Sequence, residues 1–226
     1  MKPVSNICAS IFEAKSHAVI GVSPFNSYFS EARLAALFGW AHDTFDSFHV
    51  FVPDEATKYT LEAVGYGEAK AAKKARRQAN YLLNKIRRAL LSADPTFDMS
   101  NILTNGTLAV NEPYRRLLAN VEGRFESDAV FRRQCLECTR WVLENQIETV
   151  DDINDAMLSL AVRYLLEEMP LFMDSAGIVG VTSSVFCYHN CPNVLRSFYE
   201  DRSFGQINEC QGFLIVDTIH LMTEQA

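Results

Sequence analysis

Apolar residues fall into short, nearly continuous runs, separated by longer segments with helical periodicity. The first run, residues 17–22 of HAVIGVS, reads as a buried strand. SEARLAALFGWAHDTF follows as a helix with Ser30 at its N-cap. FHVFVP, residues 48–53, reads as a second strand, and Asp54 stands where it would cap a short helix reaching about Val64. A long helix is predicted from about Gly67 to Leu91, ending before Asp94-Pro95. SNILTNGTL has room for a short strand. Helical patterns then cover roughly 111–121, 126–145 and 150–168, the last ended by Pro170. GIVGVTSSVFCYH, residues 177–189, reads as a third clear strand, with a short helix after Pro192, and GFLIVDTIH, residues 212–220, as the last strand.

Strands separated by helices predict right-handed crossovers and an α/β fold with a mainly parallel sheet. Strands this uniformly apolar fit a sheet flanked by helices on both faces. In such sheets ligands bind beyond the carboxyl ends of the strands. Ser23, after the first strand, and Tyr188, at the end of the third, would therefore face one crevice.

The chain has 226 residues and 48% hydrophobic content, which suits a single domain over residues 1–226, with 1–16 as an N-terminal extension. No apolar run is long enough to span a bilayer, and Glu13 and Lys15 interrupt any secretory signal. The six cysteines show no disulfide framework, which points to a reducing cytoplasm. Nothing requires more than a monomer. The formal net charge is −7, which makes any concentrated basic segment informative.

GEAKAAKKARRQANYLLNKIRRALL is such a segment. At 100° per residue Lys70, Lys73, Lys74, Arg77, Lys85 and Arg88 share one face, with Tyr81 and Asn84 between them. Ala75, Ala79, Leu82, Ile86 and Leu90 lie opposite. One face is thus expected to pack on the domain, the other to form a cationic stripe about 25 Å long. Solvated faces usually mix signs to gain i,i+4 pairs. A stripe of one sign in an acidic protein points to a polyanion, with phosphates as the target. Arg132, Arg133 and Arg140 are candidates to extend it.

Ser23 ends an apolar strand. A serine there is either a turn or helix cap, or a nucleophile that needs activation. The hydrolase elbow G-x-S-x-G lacks its second glycine in Gly21-Val22-Ser23-Pro24-Phe25. Gly21 would let a ligand approach the strand. His17 lies roughly 20 Å from Ser23 along an extended chain and reads as a structural hydrogen-bonding residue. In RYLLEEMPLFMD, Tyr164 and Glu168 are four apart on a helix, hence on one face. With Pro170 ending that helix, a carboxylate in the last turn opposes the helix dipole and calls for a cationic partner such as a ligand amine. Glu167 reads as a surface residue.

His17-Ala18-Val19-Ile20-Gly21-Val22-Ser23 and Tyr164-Leu165-Leu166-Glu167-Glu168-Met169-Pro170, followed by Tyr188, resemble the signatures of the cyclodipeptide synthases. The resemblance runs from residue 17 to about 190. It implies a Rossmann-like domain similar to the catalytic domain of class I tyrosyl- and tryptophanyl-tRNA synthetases. The implied activity is tRNA-dependent aminoacyl transfer that forms a diketopiperazine, with no cofactor. No HIGH or KMSKS signature is present, so ATP-driven activation is not expected.

By this resemblance Ser23 takes the aminoacyl group of a first aminoacyl-tRNA. The amine of a second then attacks that acyl-enzyme to give a dipeptidyl-enzyme, which cyclises. Tyr164 and Glu168 would position the amine and Tyr188 would relay a proton during cyclisation. Val19, Gly21, Leu171 and Phe172 would line the first side-chain pocket, and the basic helix would bind tRNA. Asn26 and His189 occupy the two positions by which the family divides. Asn26 places the chain near one group, and His189 reads as a departure that alters the second pocket.

Other readings compete. Cys135, Cys138, Cys187, Cys191 and His189 have only a loose zinc spacing, and Cys135 and Cys138 fit packing within an amphipathic helix better. A serine esterase would need a His–Asp pair, and none is visible. A tRNA-binding module without catalysis would leave Ser23, Tyr164, Glu168 and Tyr188 unexplained.

Overall fold

The alternation of strand and helix patterns carries through to the tertiary structure, a computed structural model that describes residues 1–144, 153–200 and 207–217. Among the described residues one sheet holds β1 (Lys2–Pro3), β2 (His17–Gly21), β3 (Ser47–Val52), β4 (Ile102–Thr104), β5 (Ser184–Tyr188) and β6 (Gln211–Ile215). The helices are α1 (Asn6–Glu13), α2 (Glu31–Thr44), α3 (Thr57–Ala63), α4 (Glu68–Ala93), α5 (Asn105–Leu108), α6 (Glu112–Ser127), α7 (Ala129–Glu144), α8 (Asp155–Val179) and α9 (Asn193–Glu200). The strands run in the order β1-β6-β5-β2-β3-β4. All pairs are parallel except β1 on β6. Chain connections therefore leave β2 toward β3 on one side and return to β5 on the other. β2 and β5 are the two strands at the topological switch point, where a doubly wound sheet opens its crevice.

Side chains alternate across the sheet with the period of two that strands impose. Val19, Phe51, Phe186 and Phe213 enter a core shared with α6, α7, α8 and α9. Ala18, Ile20, Val50, Val52, Cys187 and Leu214 enter the opposite core, closed by α2 and α4. Ser30 caps α2 by accepting from Arg33 N. The buried face of α4 is Ala71, Ala75, Ala79, Leu82, Ile86, Ala89 and Leu90, as its periodicity predicts.

Four local expectations change. Asp54 does not cap α3, whose N-cap Ala56 makes no side-chain bond; Asp54 instead accepts from Asn105 N at 2.9 Å, tying β3 to the start of α5. Residues 1–16 carry β1 and α1, and Cys8 and Val4 are buried in the core. Pro170 does not end a helix. α8 continues past it to a break at Asp174 (φ −159°, ψ 63°) and stops at Gly180, which is left-handed at φ 81°. The third clear strand therefore begins only at Ser184.

The break in α8 is sustained because its freed backbone groups find partners. Tyr199 Oη donates to Phe172 O at 2.5 Å, and Asn208 N to Met173 O at 2.9 Å. Ser175 N donates to Gln211 Oε1 at 2.7 Å. Near the proline, Tyr114 Oη donates to Glu167 O at 2.8 Å. Parts of the predicted helices at 126–145 and 150–168, and of the strand at 212–220, lie outside the described residues.

Candidate active site

Val22 N donates to Phe51 O at 3.0 Å, so the chain stays against β3 for one residue beyond Gly21. Pro24 then withdraws a backbone donor and the chain turns. Asn26 Oδ1 accepts from Tyr28 N at 2.9 Å, an Asx turn that leads to the cap of α2. Ser23 is left at the carboxyl edge of β2, beside the last residue of β5. Ser23 Oγ and Tyr188 Oη are 2.8 Å apart.

α8 brings the other half of the site. Tyr164 lies beside Ser23, Glu168 and Tyr188, close enough for each to act on its hydroxyl. Four side chains from three elements thus form one connected group: Ser23, Tyr188, Tyr164 and Glu168. All four are half-buried. Burial pushes the Glu168 carboxyl up to about 8; the Tyr164 hydrogen bond opposes this and the charge of Glu167 adds to it. Burial is also the main cause that raises Tyr188 to about 12 and holds Tyr164 above its ordinary range. Among the described residues no cation acts on Glu168. Because the helix continues past Pro170, Glu168 does not sit at a helix end, and the dipole gives no reason for a cationic partner. Its surroundings give a stronger one: a withdrawn carboxylate beside two phenols gains most from a bound ammonium group.

Glu167 is not a surface residue. It is half-buried, accepts from Asn105 Nδ2 at 2.8 Å and lies beside Tyr59, so it anchors α8 to α5 next to α3. The sequence signal for this was weak, since the anchoring partners lie about 60 and 110 residues away in the chain.

The expected first-pocket residues lie in the core. Val19 and Leu171 are fully buried. Gly21 does not hold open space for a substrate: a Cβ there would lie 2.7 Å from Phe186 Cζ and 3.3 Å from Tyr188 Cδ2. The glycine makes room for two rings of β5. Phe172 is the residue of that set that lines a small apolar recess, with Met169, Met173, Phe131 and Arg124. Asn26 Nδ2 donates to His189 Nε2 at 2.9 Å, and the His189 ring stacks on Tyr28 at 4.3 Å. Burial lowers His189 to about 4, so its neutral ring can accept. The two positions are thus direct partners in the structure.

The cationic helix face divides in three. Lys70, Lys73 and Arg77 are exposed, and Arg76 and Arg87 join them. Lys74 and Lys85 are half-buried: Lys74 Nζ donates to Tyr66 Oη at 2.6 Å, and Lys85 Nζ to Phe29 O at 3.0 Å. Arg88 is paired with Glu31 of α2 at 2.7 Å. Of the candidates on α7, Arg133 is exposed, whereas Arg132 donates to Phe125 O and Arg140 to Ile153 O.

His17 has the structural role expected of it. Its Nδ1 is 2.8 Å from Ser184 Oγ and its Nε2 is 2.9 Å from His49 Nδ1. Cys135 and Cys138 are buried in α7, and burial pushes both thiols up to about 12, as small packing residues would behave.

The sequence matches the family model for "Cyclodipeptide synthase" over residues 1–218. It is 31% identical to the Cyclo(L-leucyl-L-leucyl) synthase of Bacillus subtilis, covering 96% of this chain and 89% of that protein. It is 30% identical to the Cyclo(L-tyrosyl-L-tyrosyl) synthase of Mycobacterium tuberculosis, covering 96% of this chain and 75% of that protein. A solved structure from Mycobacterium tuberculosis superposes with a TM-score of 0.84 at 29% identity, covering 95% of this chain and 90% of that one. That structure is described as demonstrating that cyclodipeptide synthetases are related to type I tRNA synthetases.

Proposed function

The chain belongs to the cyclodipeptide synthase family, and on that premise we propose that it joins the aminoacyl groups of two aminoacyl-tRNAs through successive esters on Ser23. The observation that carries this reading is the Ser23 hydroxyl, 2.8 Å from the Tyr188 hydroxyl, with Tyr164 and Glu168 beside them.

In the first step Ser23 Oγ attacks the ester carbon of an aminoacyl-tRNA. The bond to the ribose oxygen breaks, and that oxygen leaves with the serine proton, for which Tyr188 is the adjacent relay. The aminoacyl ester on Ser23 keeps its α-amine, which Tyr164 and Glu168 hold. That amine then attacks the ester of the second aminoacyl-tRNA. A C–N bond forms, the second ribose oxygen leaves with a proton, and a dipeptide remains on Ser23. Chemical balance corrects the direction expected from sequence: if the second amine attacked the serine ester, Ser23 would be freed and the dipeptide would stay on tRNA. Finally the new terminal amine attacks the Ser23 ester, and the serine oxygen leaves, regaining its proton. Esters are already activated and the closure is intramolecular, so positioning is the main demand on the protein.

Purified protein incubated with aminoacyl-tRNA is expected to gain the mass of one aminoacyl group, at Ser23. Ser23→Ala is expected to abolish both adduct and product while retaining tRNA binding. Continued product formation by that variant would exclude the mechanism. A serine esterase would instead turn over simple esters without tRNA, and a binding module would be indifferent to the substitution.

A further inference from the structure

Two residues beyond Ser23, Phe25 has a backbone φ of 60°. That left-handed conformation suits glycine and is costly for a bulky side chain. The ring is 48% exposed, so its own burial does little to offset the cost. Its surroundings show a pattern. Lys74 Nζ lies 5.7 Å from the Phe25 ring centroid and 4.2 Å from that of Tyr66, and Lys70 Nζ lies 5.2 Å from the Tyr66 ring. Rings and ammonium groups thus alternate from the loop beside Ser23 onto α4, where Lys73, Arg76 and Arg77 are exposed. Single-stranded nucleic acid is bound by this combination, bases on aromatic faces and phosphates on cations.

We propose that Phe25 is the platform on which the base of the terminal adenosine of tRNA stacks, with the exposed Lys70 and Lys73 meeting the phosphates that lead to it. This rests on the reading that Ser23 receives an acyl group from aminoacyl-tRNA. The reacting ester sits on the ribose of that same adenosine. With its carbonyl at Ser23 Oγ, the attached base must lie close by, and two residues of chain span at most about 7 Å. Stacking also tolerates any tRNA body, since the terminal nucleotide is common to all. Phe25 is a positioning residue and takes no part in bond making.

The test couples the residue to the nucleotide. Bulk bacterial tRNA, intact or with its terminal adenosine removed, is titrated against the full chain at fixed salt. Removing the adenosine is expected to weaken wild-type binding roughly 5- to 150-fold, the range for loss of one base–aromatic stack. Phe25→Gly is expected to weaken binding of intact tRNA by a similar factor and to show no further loss with trimmed tRNA. Phe25→Trp is expected to bind as wild type does. Phe25→Gly is also expected to keep or raise the thermal midpoint, because glycine accepts the left-handed backbone.

Independent, multiplicative losses from the substitution and the trimming would overturn the proposal, as would unaltered binding of intact tRNA by Phe25→Gly. A fall in stability and binding together, without coupling to the adenosine, would assign Phe25 to loop packing and overturn it too. If wild-type protein showed no salt-dependent binding of tRNA, the reading of Ser23 as a tRNA-dependent acceptor would fail first. Product formation from aminoacyl-tRNA distinguishes that case.

Discussion

Without a bound ammonium group Glu168 holds a proton at neutral pH, because burial lifts its carboxyl to about 8; a bound ammonium group would favour its charged form. The folded state therefore binds more protons at this residue than the unfolded state does between about 4.5 and 8, and its contribution to stability declines as pH rises through that window. Glu168→Gln, neutral throughout, is expected to gain on wild type by about 1 to 3 kcal/mol between pH 5 and pH 8, read from urea midpoints. A constant difference would refute the assignment. The same variant is expected to lower product yield by roughly tenfold or more, since a charge-assisted hydrogen bond to the amine is worth about 1.5–3 kcal/mol.

Gly21 offers a second test at this scale. Gly21→Ala places a methyl 2.7 Å from Phe186 Cζ, and overpacking of this kind costs about 1–3 kcal/mol. Adding Phe186→Leu is expected to recover part of the loss in urea denaturation. If the position were open to substrate, the single substitution would leave stability unchanged.

At the scale of elements, α4 was legible in its periodicity and only partly in its function. Its buried alanine and leucine face follows directly from spacing, but which cations are free depends on neighbours from other elements. Glu31 on α2 neutralises Arg88, Tyr66 occupies Lys74, and Phe29 in the loop after Ser23 occupies Lys85. Lys73→Glu with Arg77→Glu is therefore expected to weaken tRNA binding and flatten its salt dependence, by roughly 0.9 in logarithmic slope for each phosphate that is no longer neutralised. Thermal stability should change little, as both residues are exposed. Arg88→Ala is expected to alter the slope far less. Equal effects from the two sets would mean that Glu31 does not hold Arg88 in solution.

Helix α8 shows the converse. Pro170 is a strong local stop signal, and GIVGV reads as strand. Long-range partners override both, since Tyr199, Asn208 and Gln211 satisfy backbone groups around the break at Asp174 and Tyr114 holds the Glu167 carbonyl near the proline. None of these partners is near in sequence, so no window of residues reveals them.

Across the whole molecule, a buried polar chain ties together the ends of the elements opposite the site. His49 meets His17, His17 meets Ser184, and Ser184 meets Ser175, which bonds Gln211. Burial, reinforced by His49, lowers His17 to about 3. The unfolded chain therefore binds the extra proton between about 6.5 and 3, and stability is lost as pH falls through that window, by up to about 1.4 kcal/mol per pH unit from this residue. His17→Gln is expected to be less stable than wild type at pH 7 but to lose less on acidification, measured by urea denaturation at pH 7 and pH 5. A parallel loss in both proteins would remove His17 as the source.

The sequence alone determined the α/β class, the candidate nucleophile, the tyrosine–glutamate pair on one helix face and the cationic helix, because strand and helix periods and short motifs are properties of neighbouring residues. The tertiary structure alone decided that Ser23 and Tyr188 meet at the switch point, that Phe186 fills the space at Gly21, that Asn26 and His189 are partners, and which cations remain exposed on α4. These pairings join residues far apart in the chain. They exist only once the sheet order has brought β2, β5 and α8 together, and burial then sets how tightly each group holds its proton.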